Sequence, residues 1–425
     1  MLLILHDGKG EIMDLIRYFK KEIIPAFGCT EPIALAFTAA KAADMLGDMP
    51  EKVFIRCSGN MIKNAKSVVI PNSGGKKGIE YSVILGVLAG HPERNLEILE
   101  SITEDQIQEA ESLYDRHYCQ VDFVPDVPNL YIEAKAVKGD HYGLATVEHA
   151  HTNIIRLEKD GDVLLNKDAG SEGDLEFTAD FQEIYDFART GDISPILDTL
   201  KLEIQYNMAI AEEGLTHPWG ANIGKMILAE GDDFGRRKQA WAAAGSDARM
   251  SGCSMPVIIN SGSGNQGITM SVPVILEARH MGAGEEALYR ALTFGNLIGL
   301  YLKSGIGKLS AYCGAMCAAS AGAAAIAFLH GEKEDIIKGT LTNALAALSG
   351  VICDGAKPSC ALKIATAVGT GEIAYRQAKA GNTFQPGDGI VKGDIDKTVR
   401  AVSHIARDGM RETDHVILRE MLQDC

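Results

Sequence analysis

The sequence predicts an α+β fold: a small mixed α/β unit packed against a larger all-helical domain. Strand-like runs with alternating apolar residues occur only before about residue 170. From about Phe177 onward nearly every segment has helical spacing, and the later helices are so rich in alanine and glycine that they must bury against one another. The expected boundaries are residues 27–170 for the α+β unit and 171–425 for the helical domain, with a first helix, 9–26, free to pack with the latter.

Taken in order, Ile16, Phe19 and Ile23 share one helical face, and Pro25 ends that helix. Cys29 then stands just outside a second helix, which Thr30 can cap and Pro32 can open, running to about Leu46. Residues 53–57 read as a strand, Ser58-Gly59-Asn60 as a turn and 67–70 as a short strand. Helical spacing covers 81–88 and 93–113. Strand patterns return at 131–137, 144–149 and 153–157, and Asp160-Gly161 turns the last back onto 163–165 as a hairpin. Helices follow at 181–190, 194–213 and 222–228, then a charged, alanine-rich stretch from Arg236, and a small-residue loop at 260–267. Helical pattern continues to Tyr375, and an amphipathic helix covers 398–422.

The 425 residues are 46% hydrophobic, enough for sizeable cores. A formal net charge of −16 and a pI near 5.2, with no lysine/arginine block, argue against nucleic acid or an anionic membrane surface and favour small-molecule partners. The reading leaves room for a homo-oligomer. The apolar opening Met1–Leu5 is too short for a signal peptide and lacks a basic start, so a cytoplasmic protein is expected. Residues 309–329 carry no charge, yet they are mostly alanine, glycine and serine, which predicts a closely packed buried helix rather than a membrane span.

Nine cysteines without an export signal read as reduced thiols. Cys57, Cys119, Cys253 and Cys317 are expected to be small buried hydrophobes, with Cys317 also one helical turn from Cys313. Cys313, Cys353 and Cys360 differ because glycine, proline and serine put each near a helix end. Cys353 and Cys360 flank one tight loop, Cys353-Asp354-Gly355-Ala356-Lys357-Pro358-Ser359-Cys360. Three such thiolates suit a metal site, zinc or iron-sulfur. Cys29, at a helix N-terminus, is a candidate base or nucleophile, although Glu31 opposes its ionisation. The glycine turns holding Ser58 and Asn60, and Ser261, Ser263 and Asn265, could cradle a carboxylate or phosphate. His149, His151 and Asn153 alternate along an expected strand, and share one face there.

Together, Gly28-Cys29-Thr30-Glu31-Pro32, Ser58-Gly59-Asn60, residues 244–250, residues 260–267, Ser310-Ala311-Tyr312-Cys313-Gly314 and residues 353–360 resemble the L-cysteine desulfidase family, which is related to iron-sulfur L-serine dehydratases. The resemblance spans almost the whole chain. It implies a 4Fe-4S cluster held by Cys313, Cys353 and Cys360, at intervals of 40 and 7 residues, and β-elimination of L-cysteine to pyruvate, ammonia and sulfide without pyridoxal phosphate. The helical domain would then bind the cluster and the α+β unit would be the substrate-side domain. Cys29 would be the base that takes the Cα proton, with open cluster iron as Lewis acid. The substrate carboxylate would lie against Ser58, Asn60, Ser261, Ser263 and Asn265, and His151 or Asn153 would orient its amino group. The terminal Cys425 could fold back as a fourth ligand of the resting cluster. The competing expectations are L-serine dehydration by the same machinery, a non-catalytic iron-sulfur redox sensor, and a structural zinc site.

Overall fold

Apolar residues at Val53, Ile55 and Cys57 alternate with Phe54 and Arg56, so one edge of this segment must face a core. The computed structural model, which describes residues 8–167, 177–231 and 233–423, places that segment inside a sheet. Its strands are β1 (Pro25–Phe27), β2 (Lys52–Cys57), β3 (Cys119–Phe123), β4 (Tyr131–Lys138), β5 (His141–Glu148), β6 (Ile154–Lys159), β7 (Asp162–Asn166) and β8 (Pro256–Ile258). Six of them form one sheet in the order β3-β2-β4-β5-β6-β7. Only β2 and β3 run parallel, and helices fill the crossover between them. The expected hairpin is present: Lys159 pairs with Asp162, leaving Asp160 and Gly161, both at positive φ, as the two-residue loop.

The sheet buries one face. Val53, Ile55, Ile132, Ala134, Ala136, Ala145 and Val147 are fully covered, mainly by helix Thr30–Leu46, while Arg56–Glu133 and Arg156–Glu158 ion pairs lie on the other face with their arginines exposed. The approach of helix to sheet is close enough to demand glycine: a Cβ on Gly143 would sit 2.2 Å from the Ala42 carbonyl oxygen. A second such contact locks helix Ile79–Ala89 onto helix Thr30–Leu46, where a Cβ on Gly86 would meet the Ala36 carbonyl oxygen at 2.3 Å.

The remaining two strands make a separate ribbon. β1 and β8 pair antiparallel, with Pro25 opposite Ile258 and Phe27 opposite Pro256. Neither strand is evident in the sequence, because three residues are too few for a period. Their pairing joins segments more than 200 positions apart, and each leads directly into a glycine-containing loop.

The helical part surrounds helix Gly314–Leu329, whose alanines and cysteine are almost all buried, as its uncharged composition predicts. Helices Gly264–Met281, Glu285–Ser304, Glu334–Leu348 and Cys360–Lys379 pack on it. Helix Gly8–Glu22 packs against helix Glu285–Ser304. Among the described residues no helix is long and apolar enough to cross a membrane.

Four local expectations are corrected. The Ser58 turn is a helix start: its side chain accepts from the Met61 amide and caps Gly59–Ala65. Residues 67–70 contribute only an isolated bridge, Val69 to Lys77. The helical stretch 93–113 divides into a 3-10 turn, Pro92–Glu97, and a helix, Glu104–Asp115, that begins at a Thr103/Gln106 capping box. The terminal helix is broken by a wide turn, Ile405–Gly409, between Ile395–His404 and Arg411–Gln423. The break lets the last segment dock on helix Gly59–Ala65, where Leu418 fills the space a side chain at Gly59 would need and Asp414 reaches Asn60 and Lys63.

Gly86→Ala should destabilise the fold by about 1–3 kcal/mol, the usual cost of forcing a methyl group into packed backbone. Gly393→Ala, with no atom within 4 Å of the new methyl, should stay within about 0.5 kcal/mol of the parent. Urea denaturation of the two variants beside the parent checks both values.

Candidate active site

Phe27 ends β1, and Gly28 turns the chain at φ +53 against Pro71, whose Cγ would lie 2.0 Å from a Cβ there. This turn delivers Cys29 to the N-cap position of helix Thr30–Leu46. The Cys29 thiol donates to Glu31 Oε2 at 3.0 Å, and the Thr30 hydroxyl donates to the Gly262 carbonyl at 2.9 Å, tying this loop to the one that follows β8. Burial, and then the Glu31 charge, push the Cys29 thiol well above the ordinary thiol range, against the pull of Arg249. The expected acidifying effect of a helix N-terminus is therefore outweighed by burial and by Glu31. Burial would raise Glu31 too, but the neighbouring His151 and the Cys29 S–H bond outweigh it and hold the carboxylate at about 2.

The loop after β8 starts helix Gly264–Met281, with Ser263 at its N-cap making no capping bond of its own. Arg249, 2% exposed at the end of helix Phe234–Met250, donates from Nη1 to Asn265 Oδ1 at 3.2 Å while its Nε has no hydrogen-bond partner. Gly264 makes room for it, since a Cβ there would meet Arg249 Nε at 2.3 Å. Beneath the loop runs a buried polar chain: Asn260 donates to Asn296, and Asn296 donates to Glu203 Oε2 at 2.8 Å. Burial pushes Glu203 up to about 8, with the Asn296 amide pulling weakly the other way.

The three spaced cysteines are brought together by backbone pairing. Tyr312 bridges Ile352, the Cys313 amide donates to the Val351 carbonyl at 3.0 Å and the Cys353 amide to the Ala311 carbonyl at 2.6 Å. Cys313 is the N-cap of helix Gly314–Leu329, and Cys360 is the first residue of helix Cys360–Lys379, its thiol 3.7 Å from the Gly355 carbonyl. Gly355, at φ +94, lies so close to the Lys63 carbonyl that a Cβ would be 2.1 Å from it. Fully buried Lys63 also donates from Nζ to the Ser310 carbonyl and pairs with Asp414, so one cation fastens both cysteine loops to the terminal helix. Cys313 and Cys353 share a hydrogen bond. That bond, helped by the Lys63 charge and despite burial, takes Cys353 down to about 5, while the Cys353 bond and burial push Cys313 well up.

Cys29, Cys313, Cys353 and Cys360 line one cavity of about 90 Å³, together with Glu31, Arg249, Ser263, Asn265, Gln266 and Lys303. Cys29 and Cys360 also share a small apolar cluster with Val68, Met250 and Ala356. Other expected site residues lie elsewhere. Ser58 is occupied as a helix cap and donates to the Asn129 carbonyl, and Asn60 donates to Asp414. Asn153 folds back on the Glu148 carbonyl, and Ser261 is buried in its turn at φ +49, off the cavity wall. His151 stands behind Glu31, its Nε2 4.0 Å from Oε1, and His149 points to Glu148. Cys317 is fully buried within its helix, and Cys425 lies outside the described residues. Sequence reasoning missed Arg249, Lys303 and Lys63. For Arg249 and Lys303 the signal is charge in the wrong company, since each is a cation in a segment of small or apolar residues.

The cysteine wall is rich in sulfur and positive charge. Lys303 is 3% exposed, and burial lowers its amine against the opposing pull of Cys317, Cys353 and Cys313. Lys363 and Lys357 hold Asp354 at about 2, outweighing its burial. Among the described residues no three Cys, His, Asp or Glu side chains converge closely enough for one metal ion. The three thiols line a wall rather than a point.

A family model described as the serine dehydratase alpha chain matches residues 93–419. A UPF0597 protein of Lachnoclostridium phytofermentans is 45% identical over 414 residues, covering 96% of this chain and 99% of its own length. UPF0597 proteins of Finegoldia magna and Treponema denticola are 43% and 41% identical, over 95% and 96% of this chain and 98% and 97% of theirs.

Two outcomes follow from the titrating groups. The bond from Cys313 and the Lys63 charge hold the Cys353 thiol well below the ordinary thiol range, so iodoacetamide followed by peptide mass spectrometry should find it modified near neutral pH, before Cys29. Glu203 is raised on folding from its ordinary value of 4.5, so its contribution to stability is complete below that value and is lost as pH rises through about 8. Glu203→Gln should flatten the fall in stability between these limits, as read by urea titrations across pH.

Proposed function

Because the chain belongs to the serine dehydratase alpha-chain family, we propose that it is an iron-sulfur lyase that eliminates sulfide from L-cysteine to give pyruvate and ammonia. The observation that carries this reading is the single cavity shared by Cys29 and the three cysteines Cys313, Cys353 and Cys360. Three cysteines on one cavity wall, with the charges of buried Lys63 and Lys303 acting on them, suit a thiolate-bound cluster, and Cys313, Cys353 and Cys360 would hold it. Bound there, a 4Fe-4S cluster would supply an open iron as Lewis acid toward the substrate sulfur.

The chain's own residues do the rest. The free Nε of Arg249 and the first amides of helix Gly264–Met281, beside Ser263 and Asn265, offer the substrate carboxylate a positively polarised seat. Cys29, once ionised, takes the Cα proton, and the electron pair left behind expels sulfide from Cβ. The aminoacrylate product hydrolyses in water to pyruvate and ammonia. Cys425 lies next to the last described residues and is proposed as a resting-state ligand of the same cluster. L-Serine, with hydroxide leaving, is the second reading, favoured by the description of the matching family.

Anaerobically reconstituted protein should release sulfide from L-cysteine faster than pyruvate from L-serine. Cys313→Ser, Cys353→Ser and Cys360→Ser should lose the visible absorbance of the cluster. Cys29→Ser should keep that absorbance and lose turnover by about a hundredfold or more. Cluster-bearing wild type that turns over neither amino acid would sink the reading, and faster pyruvate formation from serine would replace it with the second.

A further inference from the structure

The charges on the cavity wall are unequal in number. Arg249, Lys303, Lys308 and Lys363 supply four cations, and Glu31 is the one carboxylate among the described residues that line it. Two of the cations are committed elsewhere, Lys308 to Glu22 at 2.9 Å and Lys363 to Asp354 at 2.6 Å. Glu31 is 7% exposed. Its Oε2 accepts from Cys29 and from Thr30, and Oε1 faces His151 Nε2 at 4.0 Å, beyond hydrogen-bond reach. His151 Nε2 itself is buried with no hydrogen-bond partner. A buried, ionised carboxylate with an unused oxygen in an otherwise cationic cavity is a seat for a small cation that brings its own donors.

We infer that Glu31 is the anchor for the α-ammonium group of the amino-acid substrate. The inference rests on the lyase reading and deepens it by assigning the recognition of the amino group. An α-amino acid carries its ammonium and carboxylate on the same carbon. With the carboxylate on Arg249 and the ammonium on Glu31, that carbon lies beside Cys29, whose thiol feels both charges. Burial, the Glu31 charge and the S–H···O bond oppose ionisation of Cys29, while Arg249 and the Glu31 backbone amide favour it. Ammonium N–H donors replace the thiol at Glu31 and offset its charge, which lowers the cost of ionising Cys29. The base is thus generated where a substrate stands ready to be deprotonated. A free thiolate facing an open cluster is avoided at other times. The groups that set this balance are Glu31, Arg249 and His151, with Lys308 held off by Glu22.

The test uses reconstituted holoprotein and two probes: L-alanine, which has both charged groups and no leaving group, and propionate, which has the carboxylate alone. Calorimetric titration should show Glu31→Gln losing affinity for L-alanine by about tenfold to a hundredfold, the range for a lost bond to a charged group. Propionate affinity should change by less than about twofold, a difference the size of ordinary context effects. Glu31→Asp, which keeps the charge, should fall between parent and Gln. In Glu31→Gln the midpoint of Cys29 alkylation against pH should move down, even as KM for L-cysteine rises. Unchanged L-alanine affinity, or equal loss of both probes, overturns the assignment. Absence of turnover in wild type with the alanine–propionate split intact would remove the lyase reading and leave the ammonium seat standing.

Discussion

The three-residue ribbon between β1 and β8 is the contact on which the site depends. Backbone hydrogen bonds fix register absolutely, because a shift by one residue reverses every side chain. Pairing Phe27 with Pro256 therefore sets how far Gly28-Cys29 stands from the loop at 260–263. The Thr30 hydroxyl bond to Gly262 then closes the gap between them. A comparable short bridge, Tyr312 to Ile352, does the same for Cys313 and Cys353. Four sulfurs from three distant stretches thus reach one cavity through two backbone ladders, and glycines at 28, 264 and 355 leave room for the Pro71 ring, the Arg249 side chain and the Lys63 carbonyl.

Electrostatics explains why those approaches are fastened so firmly. Thiols that ionise together repel, and a buried pair such as Cys313 and Cys353 shares one proton unless cations stand by. Lys63 meets that need and also binds the Ser310 carbonyl and Asp414, so its charge and its hydrogen bonds cannot be separated from the fold. A buried cation left without its carboxylate is strongly destabilising. This ties the terminal helix to the cysteine loops more tightly than its modest apolar burial would suggest.

Much of this was legible in the sequence where period or chemistry is local. The Asp160-Gly161 hairpin, the buried character of the uncharged stretch before Leu329, and the helix-end positions of Cys29, Cys313 and Cys360 all follow from residues within a few positions of one another. The ribbon was not legible, since Pro25–Phe27 and Pro256–Ile258 carry no pattern of their own and gain one only by meeting. Nor was the division of the serine and asparagine loops. Ser58 and Ser263 sit in similar glycine turns, yet Ser58 is held by its own helix and the Asn129 carbonyl while Ser263 opens onto the cavity. That choice is made by tertiary packing, in which the terminal helix covers the first turn and leaves the second open.

Glu31 shows where a local reading can be right in physics and incomplete in meaning. A carboxylate two residues from a would-be thiolate opposes it, and in the empty cavity it does so. The same charge, however, sits in a wall otherwise supplied with cations, and burial alone would have neutralised it had His151 and the thiol not been placed against it. A fold that holds an ionised carboxylate beside Cys29 raises that thiol above its ordinary range. It gains a base whose strength depends on what occupies the cavity, because a cation seated on Glu31 offsets the charge that opposes Cys29.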